Sequence, residues 1–424
     1  MMCKVNYYQL MEKEIKSVVG KEKKPRLLLH SCCAPCSSVP VEMLCEFFEV
    51  TVLYYNPNIY PESEYHKRSR EQERFCREYF GDKKTDFVAL EYDGDEFKKI
   101  ADGLENEPEL GKRCTQCYRL RLEKSAQYAA QNGFEYFTTT LSISPMKDAH
   151  RLNEIGSELG KAYNVSYLYS DFKKKEGYKR SCEISERFGM YRQDYCGCVY
   201  SMVERYLARA KGIIFDVDGT LCDTMGFYEN FLGEYLRKLG IEPKDDLREA
   251  VRGLTIAQAY RYIIKEYAIT KPQEEIFADA GRMFADFYSN HALLKEGVRE
   301  FMDYASGRGI RMCIATATNR EYIELMMKNL GIEKYIEFVV TSPEVGKGKQ
   351  FPDIYNTAAE RLECNTKNVI VFEDAFHAVQ TAKEAGYTVF AVKDEYQMKF
   401  EDEIRKYSDI YIDSMSSLID RSNL

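Results

Sequence analysis

The chemistry this sequence offers is carried by two carboxylates in Asp216-Val217-Asp218-Gly219-Thr220 and by three clusters of cysteines. Acids at i and i+2 can divide labour. Asp216 attacks phosphorus and forms an acyl phosphate, while Asp218 protonates the leaving oxygen and then activates water. Such a site needs a cation to screen the phosphate and a lysine to balance charge. Three further features follow in order. Thr316 ends the run Cys313-Ile314-Ala315 and can donate to a phosphoryl oxygen. Lys349 stands in Gly348-Lys349-Gln350-Phe351-Pro352-Asp353, with Lys347 as runner-up. Glu373-Asp374 closes Val369 to Phe372 and can offer hard oxygens to a metal.

The first cysteine cluster is Cys32-Cys33-Ala34-Pro35-Cys36, the second Cys114-Thr115-Gln116-Cys117 and the third Cys196-Gly197-Cys198. The first follows a strand and precedes a helix, where a phosphate-binding loop would sit, but it contains no glycine with which to wrap a pyrophosphate. Cys114 and Cys117 at a helix start place two thiolates on one side. With Cys32 and Cys33 they make a four-thiolate set suited to zinc or to an iron–sulfur cluster. Adjacent cysteines favour the cluster, whose irons are spread apart, and zinc remains the alternative. A C-x-C pair can close a strained, easily reduced disulfide, or both thiols can ligate metal. Cys3, Cys45, Cys76 and Cys182 are isolated and read as plain thiols.

These groups need two scaffolds. The 424 residues suit two domains, 1–209 and 210–424, with the seam near Arg209 to Lys211. Strand-like runs at Arg26 to His30, Val50 to Tyr55, Phe87 to Leu90 and Glu135 to Thr139 alternate with helical stretches at Val39 to Phe47, Glu64 to Tyr79 and Tyr118 to Ala130. The rear half repeats the alternation at Ile213 to Phe215, Met312 to Thr316, Phe338 to Thr341, Val369 to Phe372 and Tyr387 to Val392. The fold class is therefore α/β with a parallel sheet in each domain. A mostly helical insert, about 225–294, is long enough for a cap.

The cysteines and charges are uneven. Residues 1–210 hold 11 of the 14 cysteines and 33 Lys+Arg against 32 Asp+Glu, leaving 27 against 36 behind. The acidic rear is a poor polyanion binder, whereas the front could present a basic face. The start of the chain lacks a basic segment followed by an apolar run, and no apolar run approaches a bilayer span. The expectation is a cytoplasmic protein without membrane contact, its cysteines serving metal or redox chemistry rather than structural disulfides.

Residues 211–424 resemble the haloacid dehalogenase superfamily, in the helical-cap subgroup that includes β-phosphoglucomutase-like phosphatases. The resemblance implies Asp216 as nucleophile and Asp218 as general acid/base, with Thr316 and Asn319 in the phosphate-binding motif and Lys349 as the cation. It implies Mg2+ on Asp216, the Asp218 backbone carbonyl and Asp374, and a small phosphorylated substrate. In place of the Ser and Gly of many relatives, the chain has Ala375-Phe376-His377-Ala378, bulk that could alter the pocket.

Residues 26–206 are similar to the QueH epoxyqueuosine reductase family. The match runs through Leu28-Leu29-His30-Ser31-Cys32-Cys33-Ala34-Pro35-Cys36, Tyr54-Tyr55-Asn56-Pro57-Asn58-Ile59, Arg113-Cys114-Thr115-Gln116-Cys117-Tyr118-Arg119-Leu120-Arg121, Thr139-Thr140-Leu141-Ser142-Ile143-Ser144-Pro145, Gly177-Tyr178-Lys179-Arg180-Ser181 and Tyr191-Arg192-Gln193-Asp194-Tyr195-Cys196-Gly197-Cys198. It implies a PP-loop-like, Rossmann-like fold and removal of the epoxide oxygen from epoxyqueuosine at the tRNA wobble position. It also implies a [4Fe-4S] cluster on Cys32, Cys33, Cys114 and Cys117, a redox-active Cys196/Cys198 pair, Cys36 as ligand for an additional iron, and an electron donor. Two basic runs, His66-Lys67-Arg68 and Phe172 to Arg180, are the expected tRNA contacts. The competing reading is a metal- or tRNA-binding module without reductase activity, joined to a general sugar or nucleotide phosphatase.

Overall fold

The computed structural model describes residues 5–20, 22–80, 85–251 and 256–419; Cys3 and residues 252–255 of the expected cap lie outside them. The chain divides into two compact units, the first ending at Arg205 and the second spanning Tyr206–Ile419, so the division falls inside the helix Val199–Arg209.

In the first unit, β1 (Arg26–Ser31), β2 (Glu49–Tyr54), β3 (Asp86–Ala89), β4 (Tyr136–Thr139) and β5 (Ser166–Tyr167) form one sheet in the order β3-β2-β1-β4-β5. Every pairing is parallel. Leu27, Leu28 and Leu29 are fully buried, as a central strand covered on both faces requires. The strand order reverses between β1 and β4, and in such sheets the crevice beyond the carboxyl ends at that point is the binding site. Cys32 follows β1 there, and its Sγ lies 3.9 Å from Oγ1 of Thr140, which follows β4. His30 ties this end together, with Nδ1 2.9 Å from Thr139 Oγ1 and Nε2 3.0 Å from the Tyr55 carbonyl. Burial pushes its pKa down to about 4, so it is neutral and structural.

In the second unit, β6 (Gly212–Phe215), β7 (Arg311–Thr316), β8 (Val339–Thr341), β9 (Val369–Glu373), β10 (Thr388–Val392) and β11 (Ile410–Ile412) are ordered β11-β10-β9-β6-β7-β8. Phe215 pairs with Phe372 on one side and Ile314 on the other, which brings Asp216 level with Glu373 and within one residue of Thr316 at the sheet's carboxyl edge. Helices Met225–Lys238, Leu247–Ala250, Ile256–Glu266 and Gln273–Asn290 lie between β6 and β7. They pack through aromatic contacts such as Phe227 stacked on Phe287 at 4.0 Å.

The sequence pattern missed β5 and β11, which at two and three residues are too short for periodicity to register. The helix after β1 begins at Ala34 rather than Val39, because Pro35 fits its first turn and Cys33 caps it with extended backbone. Cys36 is thereby placed on the first helical turn.

Candidate functional sites

In the first unit, Cys32, Cys33 and Cys36 sit together: one sulfur from each lies within 4.8 Å of the others. The strand end supplies the first two and the helix turn the third. Cys32 and Cys36 direct their thiols at Cys33, whose pKa is held well below the ordinary thiol value while theirs are pushed up. Cys114 and Cys117 are outside this trio, on the first two turns of the helix Lys112–Gln131. Cys114 Sγ accepts from the Leu110 backbone at 3.3 Å, and burial raises the pKa of both thiols. Cys32 and Cys114 pack on the same apolar cluster, whereas Cys117 shares another with Cys198, Phe97 and Ala101.

Arg121 joins these groups. One turn after Cys117, it occupies the same helix face and is 1% exposed. Its Nη1 donates to Asn56 Oδ1 at 3.1 Å, but Nε and Nη2 are buried without a hydrogen-bond partner. Burial opposes its charge, and the groups that favour it most are Cys117, Cys196 and Cys32. A guanidinium taken out of water needs an anion, and these cysteines are the groups beside it that could supply one. An anionic thiolate-bound metal centre fits this set: it would compensate Arg121 and give the two idle N–H groups acceptors. Asn58 and Gln193 also carry buried side-chain atoms without partners.

Sequence reasoning passed over Arg121, although its spacing of four from Cys117 was a usable signal. It also passed over Lys147, whose Nζ lies 3.0 Å from Cys196 Sγ, and here no local pattern pointed to it. One expected tRNA contact is corrected. Arg68 is 1% exposed, paired with Glu64 at 2.7 Å and placed beneath the Cys196 carbonyl, so it supports the cysteine loop from inside. In the second run Phe172 is buried, whereas Lys174, Lys175, Tyr178, Lys179 and Arg180 are exposed.

In the second unit, Asp216, Glu373 and Asp374 are buried with one carboxylate oxygen of each within 4.8 Å of the others, a group that could hold a metal ion. Lys349 is 7% exposed and donates to Asp216 Oδ1 and, at 2.6 Å, to Glu373 Oε1. Tyr355 donates to the same Glu373 oxygen at 2.7 Å, while Oε2 is buried without a donor. That idle acceptor beside two carboxylates suits a hard cation. Burial raises the Glu373 pKa to about 7, and burial with the fields of Asp216 and Glu373 holds Asp374 well above the usual range. A divalent ion would reverse both shifts. Lys347 pairs instead with Asp353 at 2.7 Å. Gly219, at φ 88°, has no space for a side chain: a Cβ would lie 2.4 Å from Asp374 Oδ2.

Asp218 stands apart from that trio. Its Oδ1 accepts from Thr224 at 2.8 Å and from the phenol of Tyr288 at 2.5 Å, and its Oδ2 from Thr318 at 2.6 Å. Thr316 is buried at the end of β7, its hydroxyl accepting from the Thr318 backbone at 3.1 Å, and Asn319 caps the next helix. Thr224, Tyr288 and Thr318 were not foreseen; only Thr318, two residues beyond Thr316, carried a positional hint. The bulk of Phe376 turns aside to pack with Phe400 and Tyr407, and His377 is exposed.

Burial and the Asp216 charge raise the Asp218 pKa, and the three hydroxyls, which bond best to the ionised form, restrain it. Removing one by Tyr288→Phe therefore raises it further. The limb of the pH–rate profile that Asp218 controls is expected to move to higher pH, with the rate at the optimum changed less than about tenfold.

A cysteine-rich crevice on one parallel sheet and an acidic, lysine-bridged crevice on another define an enzyme with two separate centres. Residues 27–204 match the family model for epoxyqueuosine reductase QueH, and residues 213–392 that for haloacid dehalogenase-like hydrolases. The epoxyqueuosine reductase QueH of Staphylococcus epidermidis is 40% identical over 208 residues, covering 48% of this chain and 87% of its own length. That of Streptococcus pyogenes is 42% identical over 202 residues, covering 47% and 78%. A crystal structure of a putative β-phosphoglucomutase from Thermotoga maritima aligns at 23% identity and a TM-score of 0.44, over 49% of this chain and 96% of that one. The chain belongs to the epoxyqueuosine reductase QueH family through its first half and carries a haloacid dehalogenase-like hydrolase domain in its second. Among the described residues, no helix is long and apolar enough to cross a membrane.

Proposed function

We propose that the chain is a bifunctional cytoplasmic enzyme: residues 1–209 reduce epoxyqueuosine to queuosine in the tRNA anticodon, and residues 210–424 hydrolyse a small phosphate ester. The observation that carries the first reading is Arg121, buried beside thiols from three separate segments with two N–H groups idle. Cys32, Cys33, Cys114 and Cys117 would hold a [4Fe-4S] cluster, with Cys36, close to Cys32 and Cys33, free for a further iron. When bound, the iron supplies a Lewis acid and a path for electrons. The chain's part is to position the flipped base, exclude water and furnish thiols. Reduction of the epoxide by the Cys196/Cys198 pair balances as one C=C bond, one water and one disulfide, and an external donor then restores the thiols. The exposed basic segment Lys174 to Arg180 is suited to the phosphate backbone around a splayed anticodon loop.

In the rear domain, Asp216 attacks phosphorus with Lys349 beside it, and Asp218 delivers and later takes up the proton. Asp216, the Asp218 backbone carbonyl and Asp374 would hold Mg2+, with Glu373 fixing Lys349. The Asp218 side chain has hydroxyl partners on both carboxylate oxygens, which suits it to carrying a proton.

Iron and acid-labile sulfide after anaerobic reconstitution test the first half. About four of each per chain are expected beyond any extra iron. One zinc without sulfide would leave the competing reading, a binding module without reductase activity. Isolated 210–424, screened against phosphorylated sugars and nucleotides with and without Mg2+, tests the second.

A further inference from the structure

The two sulfurs of the Cys196-Gly197-Cys198 loop occupy unlike surroundings. Cys196 Sγ lies 3.0 Å from the ammonium of Lys147, itself buried and 3.1 Å from Glu109 Oε1. Burial works against that ammonium, and Cys196, Tyr118 and Glu109 more than reverse it. Cys198 has no such cation. It is buried with Phe97, Ala101 and Cys117, its Sγ 3.5 Å from Ser201 Oγ.

The loop is fixed rather than free to interchange them. The Gly197 carbonyl accepts from the Tyr60 backbone at 2.9 Å and the Cys196 carbonyl from Arg68 at 3.4 Å. A Cβ on Gly197, at φ 131°, would meet Ile59, Arg68 and Asn58 at 3.0–3.3 Å. The other ionisable groups acting around the pair are Cys114, Cys117, Tyr118 and Arg121 on the helix Lys112–Gln131 and Tyr200 on the helix Val199–Arg209.

We propose that Lys147 is a positioning residue that sets Cys196 as the attacking sulfur of the pair, its ammonium pairing with the thiolate as it forms, with Cys198 as the resolving sulfur. The use of this asymmetry rests on the reductase reading. Converting an epoxide to an alkene and water takes two electrons and two protons. The Cys196 thiolate and the Cys198 thiol give two electrons and one proton as they join in one S–S bond. The Lys147 ammonium gives the second proton and is left as the neutral amine, so charge and atoms close.

The test needs neither tRNA nor cluster. The full-length chain, reduced and anaerobic, is treated with iodoacetamide at pH 7, and alkylation is timed at each cysteine by peptide mass spectrometry. Cys182, on another helix, serves as internal standard. Cys196 is expected to react at least about tenfold faster than Cys198. Lys147→Met should slow Cys196 about tenfold with Cys182 unchanged, and Lys147→Arg should restore it. Glu109→Gln, at a partly exposed site that spares the core, leaves Lys147 to Cys196 alone and should not slow it. Unchanged Cys196 labelling in Lys147→Met, or slowed labelling in Glu109→Gln, overturns the assignment. So does protection of Cys196 on loading iron, which would make it a ligand. Failure to bind iron and sulfide would remove the reductase reading while leaving the alkylation result standing.

Discussion

Asp216→Asn is expected to lower Mg2+-dependent turnover of a phosphate ester on the order of 10⁴-fold or more while leaving iron binding by the front domain intact. Asparagine keeps the shape at the end of β6 and loses the oxygen anion that must bond to phosphorus, so the covalent route closes. The fold should survive, because Lys349 retains Glu373 as a buried counterion at 2.6 Å. Steady-state kinetics on purified wild type and variant decide it, with circular dichroism as the control. Residual turnover within tenfold of wild type would mean that another group attacks phosphorus. No turnover in the wild type on any ester would leave this domain without the catalytic role given to it.

The second large effect is expected from Arg121→Met in the front domain. Methionine fills much of the same space and removes the charge that Cys32, Cys117 and Cys196 share. Breaking one side of a buried charge pair costs about 3–5 kcal/mol, which corresponds to roughly 10² to a few times 10³ in an equilibrium constant. Here the loss should fall on retention of the metal centre, read as faster iron release to a chelator and incomplete reconstitution. Arg121→Lys should recover part of it, since it restores charge without the planar fork. If the methionine variant loads and keeps iron like wild type, Arg121 serves packing alone.

How much of this was legible beforehand depended on whether a residue's role is local. Asp216 and Asp218 announce themselves because a strand end and a two-residue spacing are sequence properties. Cys114 and Cys117 do so because the helix starts where the pattern says. Lys349 was separable from Lys347 only in three dimensions, where one meets Asp216 and the other Asp353. Arg68 misled because a basic run looks the same whether solvated or folded under a loop. Tyr288 and Lys147 were invisible for another reason: each is 49 or more positions from the group it touches, and nothing in its own neighbourhood marks it. The short strands β5 and β11 are set by tertiary pairing rather than by their own two or three residues.

The hydroxyl belt on Asp218 has a kinetic consequence. Tyr288 belongs to the cap helix Gln273–Asn290, and its phenol also meets that of Tyr228 at 2.9 Å, which in turn meets Thr318 at 3.0 Å. An arriving ester must take over the place of that phenol to receive Asp218's proton, so admission is an exchange of partners rather than the filling of a void. Where that exchange is slower than bond cleavage, commitment sets the rate. Esters differing widely in leaving-group acidity would then share a common maximal rate, and that ceiling would fall as the medium is made more viscous.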